Sequence, residues 1–84
     1  MTYRVKLKPG AEKELNNLPR GDYYKIITVL IDLAKDPFAG KKLKGKYSNY
    51  HSLRIWPYRI IYQIYRKECL VFVIRIGHRQ GVYR

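Results

Sequence analysis

From Tyr3 to Lys8 apolar and basic side chains alternate, with Tyr3, Val5 and Leu7 on one side and Arg4, Lys6 and Lys8 on the other. A period of two is that of a strand with one buried face. Pro9 suits the first turn of a helix, where its missing N–H would have no partner anyway, and Ala11, Leu15 and Leu18 continue at helical spacing. Pro19-Arg20-Gly21 interrupts this pattern. Asp22 is a fitting N-cap for a second helix, in which Tyr23, Ile26, Ile27, Leu30, Leu33 and Ala34 form one apolar stripe until Asp36-Pro37 ends it. Residues 38–50 lose periodicity, and three alternating runs follow from Ser52 onward. Taking Trp56-Pro57 as a two-residue turn and Arg66 to Glu68 as a three-residue turn, these runs form an antiparallel meander. In that register Leu53 faces Ile60, Tyr58 faces Ile76, Ile60 faces Ile74, Tyr62 faces Phe72 and Ile64 faces Leu70. The order strand, helix, helix, loop, meander predicts a single α+β domain over residues 1–84. Both helices should pack on one face of a twisted, mainly antiparallel sheet.

The opposite face of the meander carries the chemistry. The same register sets Arg54 opposite Arg59 and Arg59 opposite Arg75. Like charges directly opposite one another destabilise a sheet, so such a row of guanidinium groups predicts an anion bound on it. Charge along the chain sharpens this expectation. Residues 1–36 hold seven basic and five acidic side chains, a net of +2, whereas residues 37–84 hold eleven basic side chains and only Glu68, a net of +10. No carboxylate lies between Phe38 and Lys67, so local ion pairs cannot account for these arginines, and guanidinium forks match phosphate oxygens.

A field polarised in this way points to nucleic acid or an acidic protein. Membrane binding is disfavoured, because no apolar run approaches the roughly 20 residues of a spanning helix and no basic amphipathic helix is present. With Cys69 as the single cysteine and no signal-peptide pattern, the chain reads as cytoplasmic. Cys69 itself reads as a small buried strand residue. Neither His51 nor His78 stands at metal-ligand spacing with a second donor, so no metal or cofactor is implied. His51 falls on the apolar face, as a satisfied structural histidine. His78, just after Gly77, either turns toward the arginines for proton transfer or RNA contact, or packs. The loop lysines Lys41, Lys42, Lys44 and Lys46, with Tyr47, Tyr50 and Trp56 interleaved, suit phosphate contacts and base stacking on single-stranded RNA.

Pro57-Tyr58-Arg59-Ile60-Ile61-Tyr62, then Ile76-Gly77-His78-Arg79 and a closing Val82-Tyr83, resemble the RelE/ParE toxin superfamily, most closely its RelE branch. The resemblance covers nearly the whole chain, including Ala11, Lys13 and Leu15 of the first helix, Asp36-Pro37, and Leu43-Lys44-Gly45. It implies the RelE-like microbial ribonuclease fold and a toxin of a type II toxin–antitoxin pair. It further implies a ribosome-dependent endoribonuclease that cuts mRNA in the 30S A site, beside 16S rRNA, and inhibits translation. Arg59, Arg79 and Tyr83 would then form the active site, joined by His78, with Lys42, Lys44, Lys46, Arg54 and Arg75 contacting RNA. The reaction implied is attack of the 2′-hydroxyl on the adjacent phosphate, leaving a 2′,3′-cyclic phosphate. A cognate acidic antitoxin would silence the toxin, and operator DNA would be met only through that complex.

Well-known RelE members have two lysines where this chain has Tyr50 and Ser52, which leaves His78, Tyr83 and a loop lysine as alternatives for the general base. Two other functions fit the same residues: a ParE-like gyrase inhibitor acting by binding alone, and a non-enzymatic basic RNA-binding module.

Overall fold

The computed structural model describes residues 2–78. Strand β1 (Arg4–Leu7) leads into helix α1 (Pro9–Asn16) and helix α2 (Arg20–Lys35), followed by a short edge strand β2 (Lys41–Lys42) and the meander β3 (His51–Ile55), β4 (Tyr58–Tyr65) and β5 (Leu70–His78). The five strands form one mixed sheet in the order β1-β5-β4-β3-β2, with β1 parallel to β5 and the other pairs antiparallel. Ala11 and Leu15 of α1 and Ile26, Leu30 and Leu33 of α2 bury themselves against Tyr58, Ile60, Tyr62, Val71, Val73 and Ile76 of the sheet. Both helices therefore cover one face, as the spacing of their apolar residues predicts.

Helix α2 starts earlier than its sequence suggests. Pro19 occupies the capping position without a side-chain cap, and Asp22 sits in the first turn. There an acidic side chain complements the helix dipole. Its carboxylate accepts a 2.5 Å hydrogen bond from the Tyr58 hydroxyl, which pushes the phenol pKa up, with burial adding to the effect.

The loop after α2 is pinned to the sheet by Tyr62. Its buried hydroxyl donates to the Pro37 carbonyl at 2.8 Å and accepts from the Gly40 N–H at 3.0 Å, and burial raises its pKa. Gly40 lies so close to β3 and β4 that a Cβ there would clash with the Tyr62 hydroxyl and stand 2.9 Å from the Ser52 carbonyl. Gly40→Ala should therefore destabilise the fold by about 1–3 kcal/mol, the usual cost of overpacking. A urea midpoint equal to that of the parent chain would show that residues 37–43 shift freely and do not depend on this contact.

The β3–β4 register is the predicted one: Leu53 opposes Ile60 and Arg54 opposes Arg59 across the Trp56-Pro57 turn. The β4–β5 register is not. Four residues turn the chain there, with the Cys69 N–H donating to the Arg66 carbonyl at 3.1 Å and Cys69 itself at φ 50°. Cys69 is thus a partly exposed turn residue and not a buried strand thiol. A bulge at Ile61/Tyr62 then shifts the pairing by one more residue. As a result Tyr58 opposes His78, Ile60 opposes Ile76, Tyr62 opposes Val73 and Ile64 opposes Val71.

Candidate functional site

Residues paired across strands share a sheet face, so register assigns the exposed chemistry. On the face away from the helices, Lys41, Ser52, Ile61 and Arg75 form one cross-strand row, and Arg54, Arg59 and Gly77 form the next. Arg54 and Arg59 are directly opposed. Arg75 is not opposite Arg59, because the turn and the bulge move it two positions along β4, to face Ile61. The expected straight line of three arginines is therefore a pair with a third arginine on the diagonal.

Arg59 is half-buried, and its Nη1 donates to the buried Ser52 hydroxyl at 3.1 Å, which lays the guanidinium along the sheet. Beside it is a cleft of about 390 Å³ lined by Gly40, Lys41, Leu43, Ser52, Arg54 and Arg59. Three cations converge there from β2, β3 and β4, on a floor held in place by the Tyr62 clamp. The cleft is shaped and charged for an oxyanion.

Arg75 has a partner that lies far off in the sequence. Its Nη2 is 3.1 Å from a Glu14 carboxylate oxygen, and its Nε lies 3.3 and 3.2 Å from the two oxygens. The same carboxylate accepts the Ile76 backbone N–H at 3.0 Å. β1 pairs only with the first part of β5, up to Val73, so Glu14 of α1 takes over as acceptor along the remainder of that edge. Arg75 is therefore anchored by an ion pair across 61 positions, contrary to the expectation that the arginines lack carboxylate partners. Glu14→Ala should cost about 1–3 kcal/mol by leaving a charged donor and an edge amide without this acceptor, whereas Glu14→Gln, which still accepts from Ile76, should cost less. Denaturant midpoints of the two variants check this. Equal losses would assign the whole effect to the Arg75 charge pair.

His78 does not join the arginines. It lies on the helix-side face, its ring edge-on to Tyr58 at 5.7 Å, because it opposes Tyr58 and strand alternation turns it away from Arg59. Lys42, paired with His51, likewise points to the face opposite Arg59. Lys44 and Lys46 are exposed on the loop, with Lys46 5.2 Å above the Tyr47 ring, and neither lines the cleft. Lys41 and Ser52 do line it. Nothing in the run of four lysines marks Lys41 out, since the strand that orients it is two residues long. Arg79 and Tyr83 lie outside the described residues. Among the described residues, no group of three His, Cys, Asp or Glu side chains is placed to hold a metal ion. No described helix is long and apolar enough to cross a membrane.

Residues 5–83 match the family model described as ParE toxin of type II toxin-antitoxin system, parDE. Toxin RelG of Mycobacterium tuberculosis is 29% identical over 86 residues, which span 100% of this chain and 99% of that protein. The toxin–antitoxin complex RelBE2 of M. tuberculosis contains a chain 27% identical to this one, with a TM-score of 0.88 over 94% of this chain and 100% of that one. The archaeal RelE–RelB complex of Pyrococcus horikoshii gives 26% identity and a TM-score of 0.82 over 98% of this chain and 100% of that one.

Proposed function

The chain belongs to the ParE toxin family of type II toxin–antitoxin systems, and from that premise we propose that it arrests growth as a cytoplasmic mRNA endoribonuclease acting in the ribosomal A site. The observation that carries this reading is the converging set Lys41, Arg54 and Arg59, in which two arginines oppose each other across β3 and β4. Such a pair is unfavourable unless an anion lies between the strands' cations, and a scissile phosphate is an anion that guanidinium groups grip well.

In this reaction the substrate's own 2′-oxygen attacks phosphorus. The P–O5′ bond breaks, the 2′-proton passes to a base, and the departing 5′-oxygen takes up a proton. Arg59 and Arg79 hold the phosphate and offset the charge that develops on it, while Tyr83 orients a base or moves a proton. His78, edge-on to Tyr58 on the helix-side face, is assigned a packing role, which leaves Tyr83 or a lysine such as Lys41 as the base. Arg54 and Arg75 extend the cationic surface along the RNA. The relatives named RelE and RelG, and the antitoxin complexes in which RelE-like chains are found, support a cognate antitoxin as the silencing partner. A surplus of ten positive charges on residues 37–84 favours an acidic one.

The ParE name of the family model favours a second reading, the ParE-like gyrase inhibitor acting by binding alone. Induced expression separates the two. Prompt loss of protein synthesis, with breaks within codons of translated messages, supports the nuclease. Unbroken messages with loss of gyrase-dependent supercoiling support the second reading and overturn the first.

A further inference from the structure

On the helix-side face, at the far end of β3 and β4, lies a second cleft of about 350 Å³ that the site above does not use. Phe38, Lys42, Asn49, His51 and Arg66 line it, and none of its lining residues is acidic. Arg66 lies 4.8 Å over the Phe38 ring, a cation–π contact that orders both side chains at the rim. The His51 ring stacks on Tyr62 at 5.5 Å and meets Phe38 edge-on at 6.3 Å. Its Nδ1 is buried without a hydrogen-bond partner, so this histidine is not the satisfied one its sequence position suggests. Burial lowers the pKa of the ring, and Lys42 and Arg66 add to that effect. Two cations, a half-exposed aromatic ring and the polar side chains of Ser48 and Asn49 match a nucleotide: cations for the phosphate, a ring for the base and hydrogen-bonding groups for its edge.

β2 connects the two clefts. It forms the sheet's edge and is two residues long, and its consecutive lysines point to opposite faces, Lys41 with Ser52 and Lys42 with His51. A single strand leaving the arginine face over this edge passes from Lys41 directly to Lys42. We propose that the Phe38–Lys42–His51–Arg66 cleft is a second subsite for single-stranded RNA, seating a nucleotide that flanks the one held at Arg59. This rests on the RNA reading of the arginine face, but its test does not depend on cleavage.

The test uses isotope-labelled full-length chain carrying Arg59→Ala, which disarms the first cleft. A 5′-phosphorylated RNA tetranucleotide is titrated while the His51 ring and Ile64 methyl resonances are followed, alongside inorganic phosphate and hexaglutamate. Saturable shifts at His51 and Ile64 are expected, with affinity about tenfold lower on adding Lys42→Ala or Arg66→Ala, as loss of a charge-assisted contact predicts. The tetranucleotide should bind about tenfold or more tightly than phosphate. Shifts confined to Ser52 and Ile61 would overturn the proposal. Equal binding of phosphate would reduce the cleft to a simple anion site, and equal binding of hexaglutamate would make it a surface for an acidic protein; each would also overturn it. Should the chain cut no message, the His51 shifts stand and only the nuclease reading falls. Should messages be cut while His51 stays silent, only the second subsite falls.

Discussion

Arg59→Ala should abolish growth arrest on expression and lower mRNA cleavage by roughly 10²- to 10³-fold, the usual loss when one group that stabilises transition-state charge is removed. The fold should survive. Arg59 is half-buried and lies along the sheet surface, so its truncation opens no enclosed cavity of the kind that makes core deletions costly. One hydrogen bond to the buried Ser52 hydroxyl is lost, a cost of about 1 kcal/mol. The repulsion between Arg59 and the directly opposed Arg54 disappears at the same time, which works in the other direction. Arg59→Lys should fall between the two, because lysine keeps the charge but cannot present a planar fork to two phosphate oxygens. Cleavage assays and circular dichroism on the same preparations decide the matter. An unfolded Arg59→Ala chain would make the arginine structural, and a folded chain that still arrests growth would remove it from the active site. Arg79→Ala is expected to behave in the same way.

What the sequence disclosed and what it concealed follow from the range of the interactions involved. The β3–β4 register was legible because a two-residue turn permits little freedom, and Arg54 facing Arg59 follows directly from it. The β4–β5 register was not, because Cys69 adopts a left-handed conformation that favours glycine, and because the bulge at Ile61/Tyr62 leaves no mark in the alternation of apolar residues. The displacement of Arg75 and the turning of His78 onto Tyr58 both come from those two features. Helix positions were legible from their apolar stripes, but the role of Asp22 was not. An N-cap is a local signal, whereas acceptance from Tyr58 spans 36 positions. Glu14 was hidden for the same reason. Its spacing within α1 says only that it is exposed, and its use as an edge acceptor depends on where β1 stops pairing with β5.

The reaction chemistry makes the second large prediction. A message whose nucleotide 5′ to the cut carries a 2′-deoxy or 2′-O-methyl sugar should not be cleaved during translation, and the unmodified message should leave a 2′,3′-cyclic phosphate upstream and a free 5′-hydroxyl downstream. This follows from the proposed reaction and the residues at the cleft. Lys41, Arg54 and Arg59 can bind and neutralise a phosphate, but neither they nor Ser52, whose hydroxyl is buried under Arg59, supplies an activated nucleophile. In the proposed reaction attack comes from the neighbouring 2′-oxygen of the RNA, which is already positioned beside the phosphorus. No strong base adjoins Arg59 among the cleft residues, and His78 faces the other side of the sheet. With proton removal left to Tyr83 or Lys41, alignment of the 2′-oxygen with the departing 5′-oxygen is expected to supply much of the rate. Fixing that geometry on the ribosome is worth several orders of magnitude, so free RNA of the same sequence should be cut far more slowly than translated RNA. Primer extension locates the break, and direct kinase labelling of the downstream fragment without prior phosphatase treatment identifies its 5′-hydroxyl. Efficient cutting of the 2′-O-methyl message, or a downstream fragment bearing a 5′-phosphate, would show that the nucleophile is water and would overturn attack by the 2′-oxygen.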